Sequence, residues 1–408
     1  MNIMDKPIGL RWLFLDMNSY FASCEQQMNP ELRGQPIAVV PVMTDSTCAI
    51  AASYEAKAFG IKTGTPIWEA KKKCPALRLV QARHRLYVEL HHKFVDTIES
   101  CIPIETTVSI DEVACKLDKV QCIPDNAIML AHNIKRAIRE HVGEYLKCSI
   151  GFASNQLLAK LASDMQKPDG LTVLHPDQMP QAILHLQPKD ICGIGRNMDA
   201  RLKRAAINTM RDLWDADAQT LRRVWGGIYG VRFHALLHGA DISSPVKSPT
   251  RSMSHQHVLA PVERSKIKAI EVMRQLTVRV AQRLRDEGMY ASRLCIHAKI
   301  LPEGYYADEI AFKETQDTTF LLDLMTRLWD KMPNLKPLRV GVTVYDLSTQ
   351  ETHQPDLFDI AQPKPNNLMK AIDDLNGKFG RGTVGFGTAT PAMGSKIAFS
   401  RVPGMDEF

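Results

Sequence analysis

Two short apolar runs in this chain end in acids. Trp12-Leu-Phe-Leu-Asp16 reads as a strand closing on a carboxylate, and Thr106-Thr-Val-Ser-Ile-Asp111 as a second of the same kind. A helix is expected near 84–101. Between Asn126 and His141, Ile128, Ala131, Ile134, Ala137 and Ile138 recur at the spacing that gives a helix one apolar face, and Cys148-Ser-Ile-Gly-Phe152 follows as a further strand. Strands alternating with helices predict a sheet covered on one face, an α+β layer. Pro36-Ile-Ala-Val-Val40 and Cys48-Ala-Ile-Ala-Ala52 predict short strands in a smaller unit inserted across roughly 23–80.

From about 176 to 240 the pattern turns helical with short loops. Residues 241–251, DISSPVKSPTR, combine Ser, Pro and charge without a period and predict a linker. Strand 252–259, helix 264–287, strands 292–301 and 307–313, helix 317–331 and strand 337–347 then predict a second α+β domain. Residues 348–408 hold Pro, Gln and Asn clusters and many glycines, which predict a partly ordered tail with one helix near 366–376.

Composition narrows the class. A chain of 408 residues exceeds what one core usually organises. Its 45% hydrophobic and 24% charged residues are ordinary for folded soluble protein, and no run of 18 apolar residues offers a membrane span. The start, MNIMDKPIGLRWLFLDMN, lacks the layout of a secretory signal, so a cytoplasmic protein is expected. Nine cysteines, odd in number and without a CxxC pair, argue against a zinc ribbon and a complete disulfide framework; they read as reduced, mostly buried thiols. The net charge of +6 only weakly suggests a polyanionic partner. Its distribution says more. Arg264 to Glu287 carries basic residues at 264, 266, 268, 274, 279, 283 and 285 against three acids, while Ile267, Ile270, Met273, Leu276, Val280 and Leu284 recur at helical spacing. One face is expected to pack and the other to be basic, either as a solvated surface or in contact with phosphate.

An isolated acid at a strand end is most often a cap or a solvated turn. Asp16, Asp111 and Glu112 together suggest more. Two divalent cations about 3.5–4 Å apart need a bridging carboxylate and further oxygen ligands, and such a pair serves phosphoryl transfer. Magnesium prefers carboxylate and phosphate oxygens, with waters completing its octahedron. Nucleases and cyclases meet the same spacing, so the acids alone leave the reaction open.

The residues around these acids are more specific. Asp16-Met-Asn-Ser-Tyr-Phe-Ala-Ser-Cys-Glu25, Ser53-Tyr-Glu-Ala-Lys-Ala-Phe-Gly-Ile61, Ser109-Ile-Asp-Glu112 and Ala162-Ser-Asp-Met-Gln-Lys-Pro-Asp-Gly170 resemble, in order and spacing, the successive motifs of Y-family DNA polymerases. The resemblance runs from about residue 11 to beyond 350. It implies an α+β multidomain, right-hand architecture: palm in 1–22 and 81–175, small fingers in 23–80, helical thumb in 176–240, linker in 241–251, little finger in 252–347 and a tail in 348–408. It implies error-prone translesion synthesis on primed DNA with dNTPs, supported by two Mg2+ ions or by Mn2+ in their place, within an SOS response to DNA damage. Asp16, Asp111 and Glu112 would hold the metals, with the Met17 carbonyl as a further ligand. Phe21 matches the steric gate that would collide with a 2′-hydroxyl. Tyr54, Lys57 and Lys167 match positions that hold the triphosphate, and Lys57 departs from the Arg of many relatives, offering a point charge for a bidentate fork.

Asp190-Ile-Cys-Gly-Ile-Gly195 resembles the thumb's helix-hairpin-helix, in which Gly193 and Gly195 would bring backbone N–H groups to a DNA phosphate beside Arg196, Arg201, Lys203 and Arg204. Arg339, on the last little-finger strand, would be a further phosphate contact. In the tail, Gln354-Pro-Asp-Leu-Phe358 resembles the peptide with which bacterial polymerases dock on the sliding β clamp, Leu357 and Phe358 entering an apolar groove. A recombinase or SOS accessory subunits would be further partners, and no membrane is expected. Asn18, the run Ala22-Ser-Cys-Glu25 and the tail from Leu368 to Gly382 resemble the UmuC branch; Ser53–Gly60 and Ser163–Gly170 resemble the DinB branch. Two other classes compete. A catalytically silent polymerase-like scaffold at the clamp would typically have lost the acids, and a metal-dependent nuclease leaves Phe21, Tyr54, Lys57 and Lys167 without a role.

Overall fold

A computed structural model describes residues 9–242, 251–349, 365–380, 383–386 and Val402. The chain divides into two compact units, 1–244 together with 395–408, and 245–394. The first begins with β1 (Trp12–Met17), α1 (Tyr20–Met28), β2 (Ile37–Val40), β3 (Ala51–Ala52), α2 (Tyr54–Ala58), α3 (Ile67–Lys73), β4 (Arg78–Gln81) and α4 (His84–Glu99). It continues with β5 (Thr106–Thr107), β6 (Glu112–Lys116), α5 (Pro124–His141), β7 (Cys148–Ala153), α6 (Gln156–Met165) and β8 (Leu171–Val173), then α7 (Arg196–Arg204), α8 (Met210–Asp215), α9 (Ala218–Trp225) and α10 (Ile228–Leu237).

Five strands form one sheet in the order β5-β6-β1-β7-β8, and three form a small sheet, β3-β2-β4. Every residue of β1 and of β7 is buried. Leu13, Leu15 and Met17 pack with Tyr87, Phe94 and Ile98 of α4 and with Ile134 and Ile138 of α5. Trp12 and Phe14 point the other way, into Leu158 and Leu161 of α6 and Leu202, Leu213 and Leu221 beyond it. The sheet is therefore covered on both faces, not on one as its strand–helix alternation suggested. The run Trp-Leu-Phe-Leu carries the reason, because a strand buried on both sides cannot alternate apolar with polar. Each such side chain contributes roughly 1.5–3 kcal/mol by leaving water.

The acidic strand end at 106–111 is also revised. β5 stops at Thr107, the chain turns with Val108 N and Ser109 N both donating to Glu112 O, and β6 starts at Glu112. Ser109 provides the cause: its hydroxyl donates to Asp111 Oδ1 at 2.5 Å and accepts from Asp111 N, a local pattern that competes with strand pairing. In the inserted unit, the strand expected over 48–52 shrinks to Ala51–Ala52, while β4 pairs parallel to β2 without the apolar alternation that would have marked it.

The second unit contains β9 (Ser252–Val258), α11 (Lys266–Asp286), β10 (Met289–Ile300), β11 (Tyr305–Thr315), α12 (Thr318–Lys331), β12 (Pro337–Thr349) and α13 (Pro365–Phe379). Its sheet runs β11-β10-β12-β9, antiparallel throughout. The core stripe of α11 is Ala269, Met273, Leu276, Val280 and Leu284. Ile267, expected in that stripe, is 83% exposed in the first turn. Part of the basic face is used internally: Lys266 Nζ donates to Asp330 O and Met332 O, Arg283 pairs with Glu287, and Arg285 forms a two-pronged pair with Asp373 of α13. That last pair ties the tail's helix to this unit. Among the cysteines only Cys24, Cys74, Cys115 and Cys148 are buried, so burial is not their common reason.

Candidate active site

Three segments converge on the end of β1. Asp16 pairs across the sheet with Glu112 on one side and Ser149 on the other, and Met17 N donates to Asp111 O at 2.8 Å. The backbone thus places all three predicted acids, and the Met17 peptide, at one sheet end. From the opposite face α6 leans in. Lys160 Nζ lies 2.5 Å from Asp16 Oδ2, 2.7 Å from Glu112 Oε1 and 3.1 Å from Asp164 Oδ1. Lys167 Nζ is 2.7 Å from Asp16 Oδ1 and 2.7 Å from Asp164 Oδ1.

The helix approaches this closely because residue 151 of β7 is glycine. A Cβ there would stand 2.2 Å from Ala159 O and 2.3 Å from Ser163 N. Gly151→Ala is expected to push α6 off the sheet, destabilising the protein by roughly 1–3 kcal/mol, as overpacking does, and carrying Lys160 away from the acids. Thermal unfolding and primer extension of the variant check this; wild-type values in both would show that the close approach is unimportant.

The loop bearing Lys167 is fixed from below. Asn18 Oδ1 accepts from Asp169 N at 2.6 Å, Asn18 Nδ2 donates to Ser149 Oγ at 3.0 Å, and Gly170 N donates to the same hydroxyl at 3.2 Å. The turn after Asp16 and the loop after α6 are in this way one hydrogen-bonded body. His91, buried on α4, makes the matching contact on the hairpin: its Nδ1 lies 2.8 Å from Ile110 O, and since a carbonyl only accepts, Nδ1 carries the proton. Burial pushes this imidazole down to about 4, so it is neutral at physiological pH.

Burial alone would raise the Asp16 carboxyl, but the Lys160 and Lys167 ammoniums outweigh it and hold it below the usual carboxylate range. Asp111 and Glu112 go the other way. Burial raises both, Asp111 against the Ser109 hydrogen bond and Glu112 against Lys160. Among the described residues no three His, Cys, Asp or Glu side chains close on a single point as a formed metal cluster. The donor set is nonetheless all oxygen, and two of its carboxylates carry charge that the protein compensates incompletely, which fits a hard divalent cation.

Around the acids stand the other predicted residues. Lys57 Nζ sits 4.3 Å from the centre of the Tyr54 ring. Burial, helped by the nearby Lys167 charge, lowers the Lys57 ammonium. Phe21, half-buried on α1, stacks on Tyr87 at 4.4 Å between centroids. Further along the first unit, Gly193 (φ +93°) and Gly195 precede α7 and, with Arg196, Asn197, Met198 and Arg201, line a concavity of about 600 Å³. A Cβ at Gly195 would meet nothing within 4 Å, so the chain's own packing does not call for glycine there. In the second unit, Arg339 Nε finds no hydrogen-bond partner among the described residues. Gln354, Leu357 and Phe358 lie outside the described residues.

The impB/mucB/samB family matches residues 15–164, and its C-terminal domain matches 250–357. The DNA polymerase IV of Moorella thermoacetica is 32% identical over 381 residues, 90% of this chain and 93% of that protein. This chain belongs to the Y family of DNA polymerases. Another relative, the DNA polymerase IV 1 of Bacillus subtilis, is 30% identical over 90% of each chain. Among solved structures, the "Y-family DNA polymerase chimera Dbh-Dpo4(243-245)-Dbh" aligns with a TM-score of 0.69 over 83% of this chain and all of that one, at 24% identity. The "Insertion ternary complex of Dbh DNA polymerase" aligns at 0.54 with the same coverage. The α+β multidomain fold expected from the motifs is thereby that of a Y-family member, a DNA-directed DNA polymerase of the DinB-like, translesion kind. Members of the family generally need divalent metal ions. No helix among the described residues is long and apolar enough to cross a membrane.

Reading the motifs missed Lys160, Asp164 and His91. Lys160 and Asp164 stand four apart on α6, one turn of a helix, which was the available signal. His91 had none, because its partner is a backbone carbonyl 19 residues away.

Proposed function

We propose that this polymerase performs two-metal nucleotidyl transfer and tolerates damaged template and wrong pairs. Asp16, Asp111, Glu112 and the Met17 carbonyl hold Mg2+, with Mn2+ able to substitute. Held there, the ions would supply the charge that activates the primer hydroxyl and stabilises the leaving oxygen. The chain's own residues do the rest. Lys167, Lys57 and Tyr54 bind the triphosphate, whose oxygens gain charge during transfer, and Phe21 excludes a 2′-hydroxyl. The observation that carries the reading is the direct cross-strand pairing of Asp16 with Glu112, with Asp111 hydrogen-bonded to the Met17 peptide. Primer extension with each dNTP, with and without magnesium, tests it; template-independent degradation in place of extension would favour a nuclease.

In this reading 1–22 with 81–175 act as palm, 23–80 as fingers, 176–240 as thumb and 252–347 as little finger. Gly193 and Gly195 leave space for a DNA phosphate at the start of α7, beside Arg196. On the sheet of the second unit Arg339 stands across from Lys299, a pair of cations suited to the duplex backbone. The internal pairing of Lys266, Arg283 and Arg285 removes those three from the phosphate-binding face. The protein acts in the cytoplasm as part of the SOS response, with a recombinase or accessory subunits as further partners.

Leu357 and Phe358, with Gln354, anchor the enzyme to the sliding clamp. Truncating a buried anchor of this kind costs more than about 2 kcal/mol, roughly thirtyfold in affinity, so replacing both with Ala is expected to abolish clamp binding. Extension of a bare primed oligonucleotide should survive while stimulation by loaded clamp disappears. Full stimulation in the double variant would place the docking peptide elsewhere.

A further inference from the structure

Two helices meet behind the Phe21 ring through a ladder of four side chains. Phe21 and Glu25 are one turn apart on α1, and Tyr87 stands one turn beyond Arg83, the residue that opens α4, so each pair shares a helix face. The lower rung is the Phe21–Tyr87 stack, 4.4 Å between centroids with 15° between planes. The upper rung is an ion pair: Arg83 Nε reaches both Glu25 oxygens at 3.1 Å, and Arg83 Nη2 reaches Oε2 at 2.5 Å. Tyr87 joins the rungs, its hydroxyl donating to Glu25 Oε1 at 2.8 Å.

The chemistry of this ladder is costly for a merely structural tie. Glu25 is 1% exposed and Tyr87 is fully buried while the Arg83 side chain is 51% exposed, and a carboxylate taken out of water needs its ion pair and hydrogen bond largely to offset the lost hydration. What such a pair does supply is a fixed position. Behind it lies a cavity of about 490 Å³ lined by Glu25, Arg83, Met28, Arg78, Leu79 and Val80, among others. The space borders the Glu25–Arg83 rung and not the Tyr87 ring, which is enclosed in the core, so the hydroxyl's bond to Glu25 is the polar contact that fixes where the ring sits along the ladder.

We propose that Glu25 and Arg83 are positioning residues for sugar selection: acting through Tyr87, they hold the Phe21 ring at the depth that excludes a 2′-hydroxyl. The inference rests on the reading of Phe21 as the sugar-sensing residue. Releasing the anchor lets the Tyr87 ring, and the Phe21 ring stacked on it, shift within their packing, which loosens the fit at the sugar without removing the gate.

Single-nucleotide insertion kinetics with dCTP and rCTP opposite template dG, on the full chain, test this. Glu25→Gln keeps the shape but loses the charge, and Tyr87→Phe keeps the stacked ring but loses the hydroxyl, so both variants should fold. In each, the ratio of kcat/KM for dCTP to that for rCTP is expected to fall roughly fivefold, the loss of about one hydrogen bond, through a lower KM for rCTP. Arg83→Lys should retain more discrimination than Arg83→Met. A parallel Phe21→Ala variant separates the two readings. If Phe21→Ala relaxes discrimination while Tyr87→Phe and Glu25→Gln keep the parent ratio, the proposal is overturned and the gate stands. A proportional loss with both nucleotides, or a change in melting temperature alone, also overturns it, because a structural tie would do just that. If Phe21→Ala leaves the ratio unchanged, the gate reading fails and this inference with it.

Discussion

Asp111→Ala is expected to yield a folded protein that binds primed DNA and does not extend it. The carboxyl sits at the tip of a hairpin whose backbone is fixed independently of it, by Met17 N on Asp111 O and by His91 on Ile110 O. Removing the side chain therefore leaves the sheet end in place. Burial raises the Asp111 carboxyl, so the fold disfavours its charged form, and stability associated with this group increases as pH falls toward its ordinary value of 3.8. At neutral pH the variant is accordingly expected to melt no lower than the parent, the usual relation between a strained catalytic charge and stability. Its kcat should fall by at least about 10³-fold, since the charge aimed at the reacting phosphate is lost. Extension at near-parental rate would remove Asp111 from the metal site; loss of DNA binding together with activity would show that the hairpin is structural.

Phe21→Ala should let ribonucleotides in. Its ring contributes shape alone, and a forced overlap typically costs about 1–3 kcal/mol, so relief is expected to lower discrimination against rNTPs by roughly 10- to 100-fold. The selection is repulsive, and removing it requires no new contact with the 2′-hydroxyl. Tyr87 then loses its stacking partner but keeps the Glu25 hydrogen bond and its place in the core, which limits the damage to the fold. Competing dNTP and rNTP insertion on one template measures the ratio. An unchanged ratio would move the gate to another residue.

The gathering of the acids at one sheet end and the order of elements were legible because each rests on local chemistry. Asp16 closes an apolar run, and the strand-helix-strand-strand-helix-strand alternation of 252–347 survives as β9, α11, β10, β11, α12 and β12. Legibility stopped where a long-range contact decides. The hairpin at Ser109–Glu112 looked like a continuous strand because Thr, Val and Ile favour strands, and only the Ser109 side chain turns it. Lys160 reads as a solvated helix lysine until Gly151 lets α6 approach the sheet. Ile267 was placed in the core by its spacing, yet in the first turn of α11 it is Ala269 that is buried while Ile267 faces solvent. Covering of both faces depended on where α6 and the helices after it return, which no local period encodes.

The ammoniums of Lys160 and Lys167 among Asp16, Glu112 and Asp164 bear on the enzyme at rest. A cluster of carboxylates with no cation would repel itself, and such a protein would be marginal until its cofactor arrived. Here two tethered cations already sit in the cluster, so folding need not await divalent ions from outside. An incoming cation would have to compete with charges attached to the chain. Chelators are accordingly expected to leave the melting temperature of the protein unchanged.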